Sequence, residues 1–582
     1  MKRTTCGYHS FRVLPLLFTL LGADFGFGTG YASGSNSVFA NDFVLAPPDA
    51  GRILQETRPI FSAPPVHSPP ILLPQPLDKS PPPLPPAASG DVRVQVSQFE
   101  FTGNHALSSE HLRAAVAPWA GRALNFGELI HVVETIETRY KDAGYFLAQG
   151  YLPPQKIKDG AIEIAISEGQ LGEARLEGES RVAADVVFAY LDYLPKGVAL
   201  RLPLLERQIL LINELAGGQV SLDLQAGDRE GSSDVVLVQQ IENLVNGRVD
   251  LNNHGSPATG DNRIGVNLNI NSVLNLGERI TAGLLTTDTG NLTSYNIRGD
   301  FPVGGAGWRL SAAASRAEYS LGGAFSNLAA GGQADSMRVG ATYSFIRSRA
   351  SNLKFQFEVD QSKLVDRFGA AKLELDKESR AINLAINADW LDQFLTGGAN
   401  RAELTLRAGR LKLGTDAGAL DLPPAGADTA GNFSKGVLNL QRQQTLRRNL
   451  NLQLQFTDQR AGNNLDSSEK ISFGGPAMLP GYATGTASGD SGSFTRMALR
   501  WQAQPELALT LFADKGRLRL AHQAASTALI NSVQLSDLGF AADWLSSKGF
   551  SVNAIMAWPR TPVVDGAGNG RAQGWISLGY NW

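Results

Sequence analysis

From about residue 241 to residue 582 the chain consists of short alternating apolar and polar segments separated by turns, with no helical period. Ile264/Val266/Leu268/Ile270, Leu404/Leu406, Leu452/Leu454/Phe456 and Leu507/Leu509/Leu511 each mark one strand face. Turn clusters such as Asn252-Asn253-His254-Gly255 and Thr286-Thr287-Asp288-Thr289-Gly290 lie between them. A soluble sandwich would show a domain break somewhere in these 342 residues. No later segment holds 18 consecutive apolar residues, so a membrane can be crossed only by a closed barrel that satisfies every backbone polar group. Apolar-out, polar-in alternation is the signature of that barrel. Strands of ~9–11 residues with turns and some long loops place about 16 strands in this length. Such a barrel encloses a water-filled or plugged lumen. The chain ends on Ile576, Leu578, Tyr580 and Trp582, an apolar face closed by a terminal aromatic at the interface belt.

The segment before the barrel divides into five pieces. Residues 1–40 read as a secretory signal: Lys2, Arg3 and Arg12 are basic, Val13–Leu21 is a short apolar core, and Val38-Phe39-Ala40 offers a cleavage site. Residues 41–58 contain a short helix over 47–56 with prolines at its start. Residues 59–90 form a linker, and twelve of the chain's 29 prolines fall within 59–86. That composition predicts an extended polyproline-type tether. Residues 91–178 read as strand–helix–helix–strand–strand. Val92, Val94 and Val96 alternate, Ser108 caps a short helix, and Phe126, Leu129, Val133, Ile136 and Tyr140 repeat at helical spacing up to Gly144. A strand over Ile162, Ile164 and Ile166 follows the Asp159-Gly160 turn. Residues 179–240 repeat this order, with helices over 182–193 and 203–215 and strands over 219–224 and 234–241. The result is two tandem α+β modules.

Several chemistries are excluded. The net charge is −3 and charged residues are 18% of the chain, which does not suit nucleic-acid binding. The single cysteine, Cys6, lies in the signal, so the mature chain has no thiol for a disulfide, zinc site or nucleophile. Gly489-Asp490-Ser491-Gly492 has the sequence found around a serine-protease nucleophile. A nucleophile needs an oriented base, and of the barrel's two histidines, His254 and His522, neither sits in a base motif. The segment reads as turn chemistry. His105, His111 and His131 lack metal-ligand spacing. There is no phosphate-binding glycine–lysine loop. No enzyme, cofactor or metal is expected.

In this order the pieces resemble the two-partner secretion transporters, the family of the haemolysin and filamentous-haemagglutinin exporters. The first module carries Tyr140-Lys141-Asp142-Ala143-Gly144-Tyr145, Leu152-Pro153-Pro154-Gln155, Asp159-Gly160 and Glu168-Gly169. The second carries Leu205-Glu206-Arg207-Gln208 and Gly231-Ser232-Ser233-Asp234, and the barrel opens on Asn253-His254-Gly255-Ser256. These match the family's motifs in order. The resemblance implies a plug helix in the 41–58 region (Gly51, Ile53, Leu54), two periplasmic POTRA modules and a 16-stranded outer-membrane barrel. It also implies a long loop that enters the pore, approached by Asn464–Lys470 and Phe473-Gly474-Gly475. The tip motif, normally Val-Arg-Gly-Tyr, stands here as Leu479-Pro480-Gly481-Tyr482. Phe512-Ala513-Asp514-Lys515-Gly516 matches the strand whose aspartate meets that arginine in relatives.

The implied function is export of an unfolded partner exoprotein bearing an N-terminal secretion domain. The modules would capture it in the periplasm of a Gram-negative cell, and outer-membrane lipids and the barrel assembly machinery would be further partners. An insertase of the same superfamily and a passive porin or receptor are the alternatives. With no ATP in the periplasm, transport would be driven by binding and folding of the cargo. The helix over 47–56 has no hydrophobic surface to dock elsewhere and is expected to rest in the lumen. Strand parity turns Asp514 inward together with Arg496 and Arg500, so one of these should replace the missing loop arginine. The tip would then be held by packing of Gly481 and Tyr482.

Overall fold

The structure, a computed structural model, describes residues 47–58, 92–229, 231–424, 426–524, 531–562 and 571–582. The expected signal, including Cys6, and the proline linker over 59–90 lie outside the described residues.

Sixteen antiparallel strands, each paired with its chain neighbours from Val245–Asn252 onward, close when Gln573–Asn581 returns to the first strand. The wall is uneven in height. Strands near the closure have 8 or 9 residues, while Leu373–Asp392 on the far side has 20. The closing pair is the shortest contact, with five residue pairs from Ser577↔Asn252 to Asn581↔Arg248. Side chains follow the strand alternation. On Leu507–Arg519, Leu509 and Leu511 are exposed to the lipid side, while Ala508, Phe512 and Asp514 are buried inside. On the neighbouring Ser491–Gln504, Met497, Leu499 and Trp501 face outward.

In the first module Ala161–Ser167 is the central strand, between Gln98–Thr102 and Gln149–Tyr151. Helices Ser109–Val116 and Phe126–Asp142 close one core with them over Phe99, Leu112, Val132, Ile136 and Ile162. Ser108 caps the first helix, and Asn125 with Glu128 forms a reciprocal capping box on the second. The expected first strand at 92–96 is reduced to Val94–Gln95, paired only with Ala123–Leu124. The main-sheet strand starts at Gln98 instead, because Ser97 donates its N–H to Gly160 O (2.7 Å) and joins the chain to the Asp159-Gly160 turn.

The second module has Ser232–Ile241 between Gln170–Gly178 and Gly218–Ala226, covered by Ala184–Leu191 and Leu202–Ile212. The expected division after 178 therefore moves to about 169. Gln170–Gly178 pairs in parallel with Ser232–Ile241 and belongs to the second sheet.

The second module is docked on the turns at one end of the barrel. Arg207 donates to Ser344 O (2.7 Å), Ala306 O (3.1 Å) and Phe345 O (3.3 Å). Glu214 accepts from Arg347 (2.8 Å) and Lys354 (3.1 Å), and Glu206 lies 3.4 Å from Arg349. At Gly305 an added Cβ would stand 1.9 Å from Ala189 O, so only glycine permits this approach of turn and helix. Replacing Arg207 with alanine should weaken this docking by about 1.5–3 kcal/mol, the worth of charge-assisted bonds. Amide exchange should quicken at 202–216 while the barrel keeps its heat-resistant migration. Unchanged exchange would show that the contact does not hold the module.

Candidate functional site

The lumen holds two inserts. The first is helix α1, Ala50–Thr57. Asp49 caps it by accepting Arg52 N–H at 3.0 Å. Contrary to the sequence expectation, it does carry an apolar face. Ile53 and Leu54 are buried against Leu292, Tyr319, Leu321 and Leu364 of the wall. Ala50 N–H donates to Asp366 at 2.7 Å, and Glu56 pairs with Arg263 at 2.9 Å. Gly51 faces the second insert. A Cβ there would come within 2.3 Å of Ser467 Oγ and 2.7 Å of Ser468 N, a separation no side chain tolerates.

The second insert is the chain between strands Leu450–Ala461 and Ser491–Gln504. It forms the short turn Ser467–Glu469 and a hairpin of Ile471–Phe473 with Ala487–Gly489. Wall cations grip its first part. Glu469 sits between Arg407 Nη2 (2.8 Å) and Lys435 Nζ (3.0 Å), and Arg407 also pairs with Asp360. Burial pushes the Glu469 carboxyl up, but Lys435 and Arg407 hold it below the ordinary carboxylate value. Lys377 bridges Asp466 (2.9 Å) and Asp49 (3.2 Å), and so ties loop and helix to one point on the wall. Helix and loop also bond directly. Gln55 donates to Ser467 O and Lys470 O, both at 2.9 Å, and Arg52 to Thr484 O at 3.0 Å.

The tip residues Leu479, Pro480, Gly481 and Tyr482 lie against the last strands. Leu479 adopts a left-handed φ of 59°. Gly481 N–H donates to Asp537 at 2.6 Å, Tyr482 OH to Ser536 O (2.9 Å) and Thr561 O (2.8 Å), and Trp575 Nε1–H to Pro480 O (2.7 Å). Gly516 leaves room for the loop, since a Cβ there would stand 2.5 Å from Phe473 and 2.7 Å from Leu479. Asp514 is paired within the wall. Arg496 meets it with two bonds, 2.8 and 2.6 Å, and its guanidinium lies 4.8 Å from the Phe512 ring centre. Arg500 is directed elsewhere, to Asp543. Asp537 stands directly across from Asp514. Among the described residues, no loop cation takes part in the contacts at the tip.

Most of the other sequence-selected residues lie outside the lumen. In the first module Tyr140 OH donates to Glu168 (2.8 Å), which also accepts Ala106 N–H (2.6 Å), and Tyr145 packs edge-on to Tyr140. Burial, with Glu168 beside it, pushes the Tyr140 phenol above its ordinary value. Gln155 bonds both backbone groups of Glu163 and the carbonyl of Pro153. Gly144, Gly160 and Gly169 all have positive φ at turns. Glu206 and Arg207 form the junction with the barrel. In the Gly-Asp-Ser-Gly segment, Ser491 Oγ accepts Ala461 N–H and Asp490 pairs with Lys470 at 3.1 Å. Sequence reasoning missed Lys377, Arg407, Lys435 and Asp537, and it placed Glu469 only within the Asn464–Lys470 approach to the loop. The wall members could have been found as charges at inward parity on strands whose alternate positions are Leu, Ile or Ala.

Comparison with known proteins gives the following. A family model described as haemolysin secretion/activation protein ShlB/FhaC/HecB matches residues 231–536, and a POTRA domain model of ShlB type matches 94–169. The heme/hemopexin transporter protein HuxB of Haemophilus influenzae (strain 86-028NP) is 23% identical, over 82% of this chain and 84% of that protein. The structure of CdiB from Escherichia coli matches with a TM-score of 0.67 at 19% identity, covering 87% of this chain and 94% of that one. CdiB from Acinetobacter baumannii matches with a TM-score of 0.60 at 14% identity, covering 84% and 90%.

Two predictions follow from the geometry of the lumen. Deleting residues 41–58 should raise ion conductance in planar bilayers, and Gly51→Val, which forces helix from loop, should do so in part. Wild-type conductance in both variants would mean that α1 does not obstruct the pore. Asp514→Ala removes the partner of Arg496 and should cost about 3–5 kcal/mol, the usual loss when one member of a buried pair is removed. Export and conductance should both change, and a variant matching wild type in both would sink the assignment.

Proposed function

The chain belongs to the haemolysin secretion/activation family of ShlB, FhaC and HecB, and from that premise we propose how its parts move an exoprotein across the outer membrane. The protein is an outer-membrane transporter of two-partner secretion, with its barrel in the membrane and its POTRA modules in the periplasm. The observation that carries the mechanism is a lumen filled by two separable inserts rather than by the wall's own side chains. The passive-porin alternative has no use for inserts that close its channel.

Capture occurs by strand addition. Gln98–Thr102 and Gly218–Ala226 are each paired on one side only, and an extended polypeptide can pair with such an edge through its backbone. Backbone pairing accepts long and varied sequence, which suits an unfolded exoprotein with an N-terminal secretion domain. Helix α1 then withdraws on the proline-rich segment that joins it to the first module. Cargo folding outside the cell supplies the free energy. During biogenesis the barrel assembly machinery inserts the barrel, guided by the terminal strand that ends in Trp582, and outer-membrane lipids surround it.

A variant lacking 91–240 should insert normally, judged by heat-modifiable migration of the barrel, while the exoprotein encoded beside it stays in the periplasm. Normal export by that variant would refute capture by the modules.

A further inference from the structure

The outward face of the barrel carries a predominantly basic patch that the export mechanism does not use. Strand register lays it out as rows. Arg519 stands across from Ser491 and Ser532, Arg517 from Ser493 and Gln534, and Lys515 from Thr495 and Ser536. The next rows toward the periplasm are apolar: Ala513 with Met497 and Leu538, then Leu511 with Leu499 and Phe540. Arg460 joins from the preceding strand, beside Ser491. Arg460, Ser491, Ser493, Arg517, Arg519 and His522 line a groove of about 600 Å³.

Four cations here face one carboxylate, Asp458, which is held by Arg460 at 2.8 Å. Arg517 and Lys515 make no ion pair among the described residues, and residues 525–530 contain no acid. Elsewhere on the outer surface several cations are held by an acid: Arg316 by Asp335 (2.7 Å), Arg367 by Glu374 (2.7 Å) and Arg380 by Glu378 (2.8 Å).

We propose that this groove binds the phosphate-bearing headgroup of an outer-leaflet glycolipid. Parity turns these side chains away from the lumen, so cargo in transit does not meet them. Their rows begin where the apolar rows end, on the extracellular half of the wall, which is the height of lipid headgroups. Arginine forks match phosphate oxygens with paired bonds, and the serine hydroxyls between them add donors. Each basic residue near an anionic membrane surface adds measurable attraction.

The test uses the full-length protein in phosphatidylethanolamine nanodiscs, with retained lipid counted by native mass spectrometry. Lipid A with two phosphates should be retained and its phosphate-free form should not. R517S/R519S should lower retention about tenfold or more, while R316S, at a site held by Asp335, should retain as wild type does. Equal retention by wild type and R517S/R519S would overturn the proposal. So would an equal loss in R316S, or displacement by phosphatidylglycerol at equal concentration. If R517S/R519S fails to assemble, K515S decides the matter, with a several-fold loss expected and no loss overturning the assignment.

Discussion

Hydrocarbon offers no partner for a backbone N–H or C=O, so a chain that crosses it in strands must close its sheet. Closure settles much else in this protein. A closed antiparallel wall turns alternate side chains to lipid and to lumen, and the cations that hold the inserts, Lys377, Arg407 and Lys435, take the inner position. Sixteen strands leave a lumen too wide for wall side chains to fill. The space therefore falls to other parts of the chain, and the inner face supplies what holds them.

Inserts and wall meet by two kinds of contact. Lys377, Arg407, Lys435 and Arg263 on the wall each face a carboxylate on an insert: Asp466 and Asp49, Glu469, and Glu56. Ile53 and Leu54 add an apolar contact, and the loop tip is held by uncharged groups bonded to Asp537, backbone carbonyls and Trp575. Buried ion pairs contribute little net stability but give a definite geometry. Under the proposed withdrawal of α1, the separated charges would regain water. The resting arrangement is thus specific without being irreversible.

The barrel was legible because lipid imposes parity on local sequence, and parity is visible two residues at a time. Parity narrowed the partner of Asp514 to Arg496 or Arg500, and the strand register that sets Arg496 at its height is not visible in the sequence. The contacts of Glu469 were not legible either, because its loop has no period and its partners Arg407 and Lys435 sit on other strands, reached only through tertiary structure. The module boundary was misplaced because Gln170–Gly178 pairs with a strand about 60 residues later, and nothing local says which sheet a strand joins. The role of Arg207 was hidden by its partners. Backbone carbonyls have no residue identity to read.

The uneven wall has a consequence for the bilayer itself. At about 3.4 Å per residue and a tilt near 40°, a nine-residue strand rises roughly 23 Å, slightly less than the ~25 Å apolar band such barrels present. The 20-residue strand opposite rises about twice that and stands well clear of the hydrocarbon. Lipid next to the closure must therefore thin to match the wall. Tyr580 and Trp582 stack there at 6.4 Å and hold the interface at that depth. The barrel thus carries a fixed asymmetry of membrane thickness around its circumference, with the most compressed lipid beside its shortest strand pair.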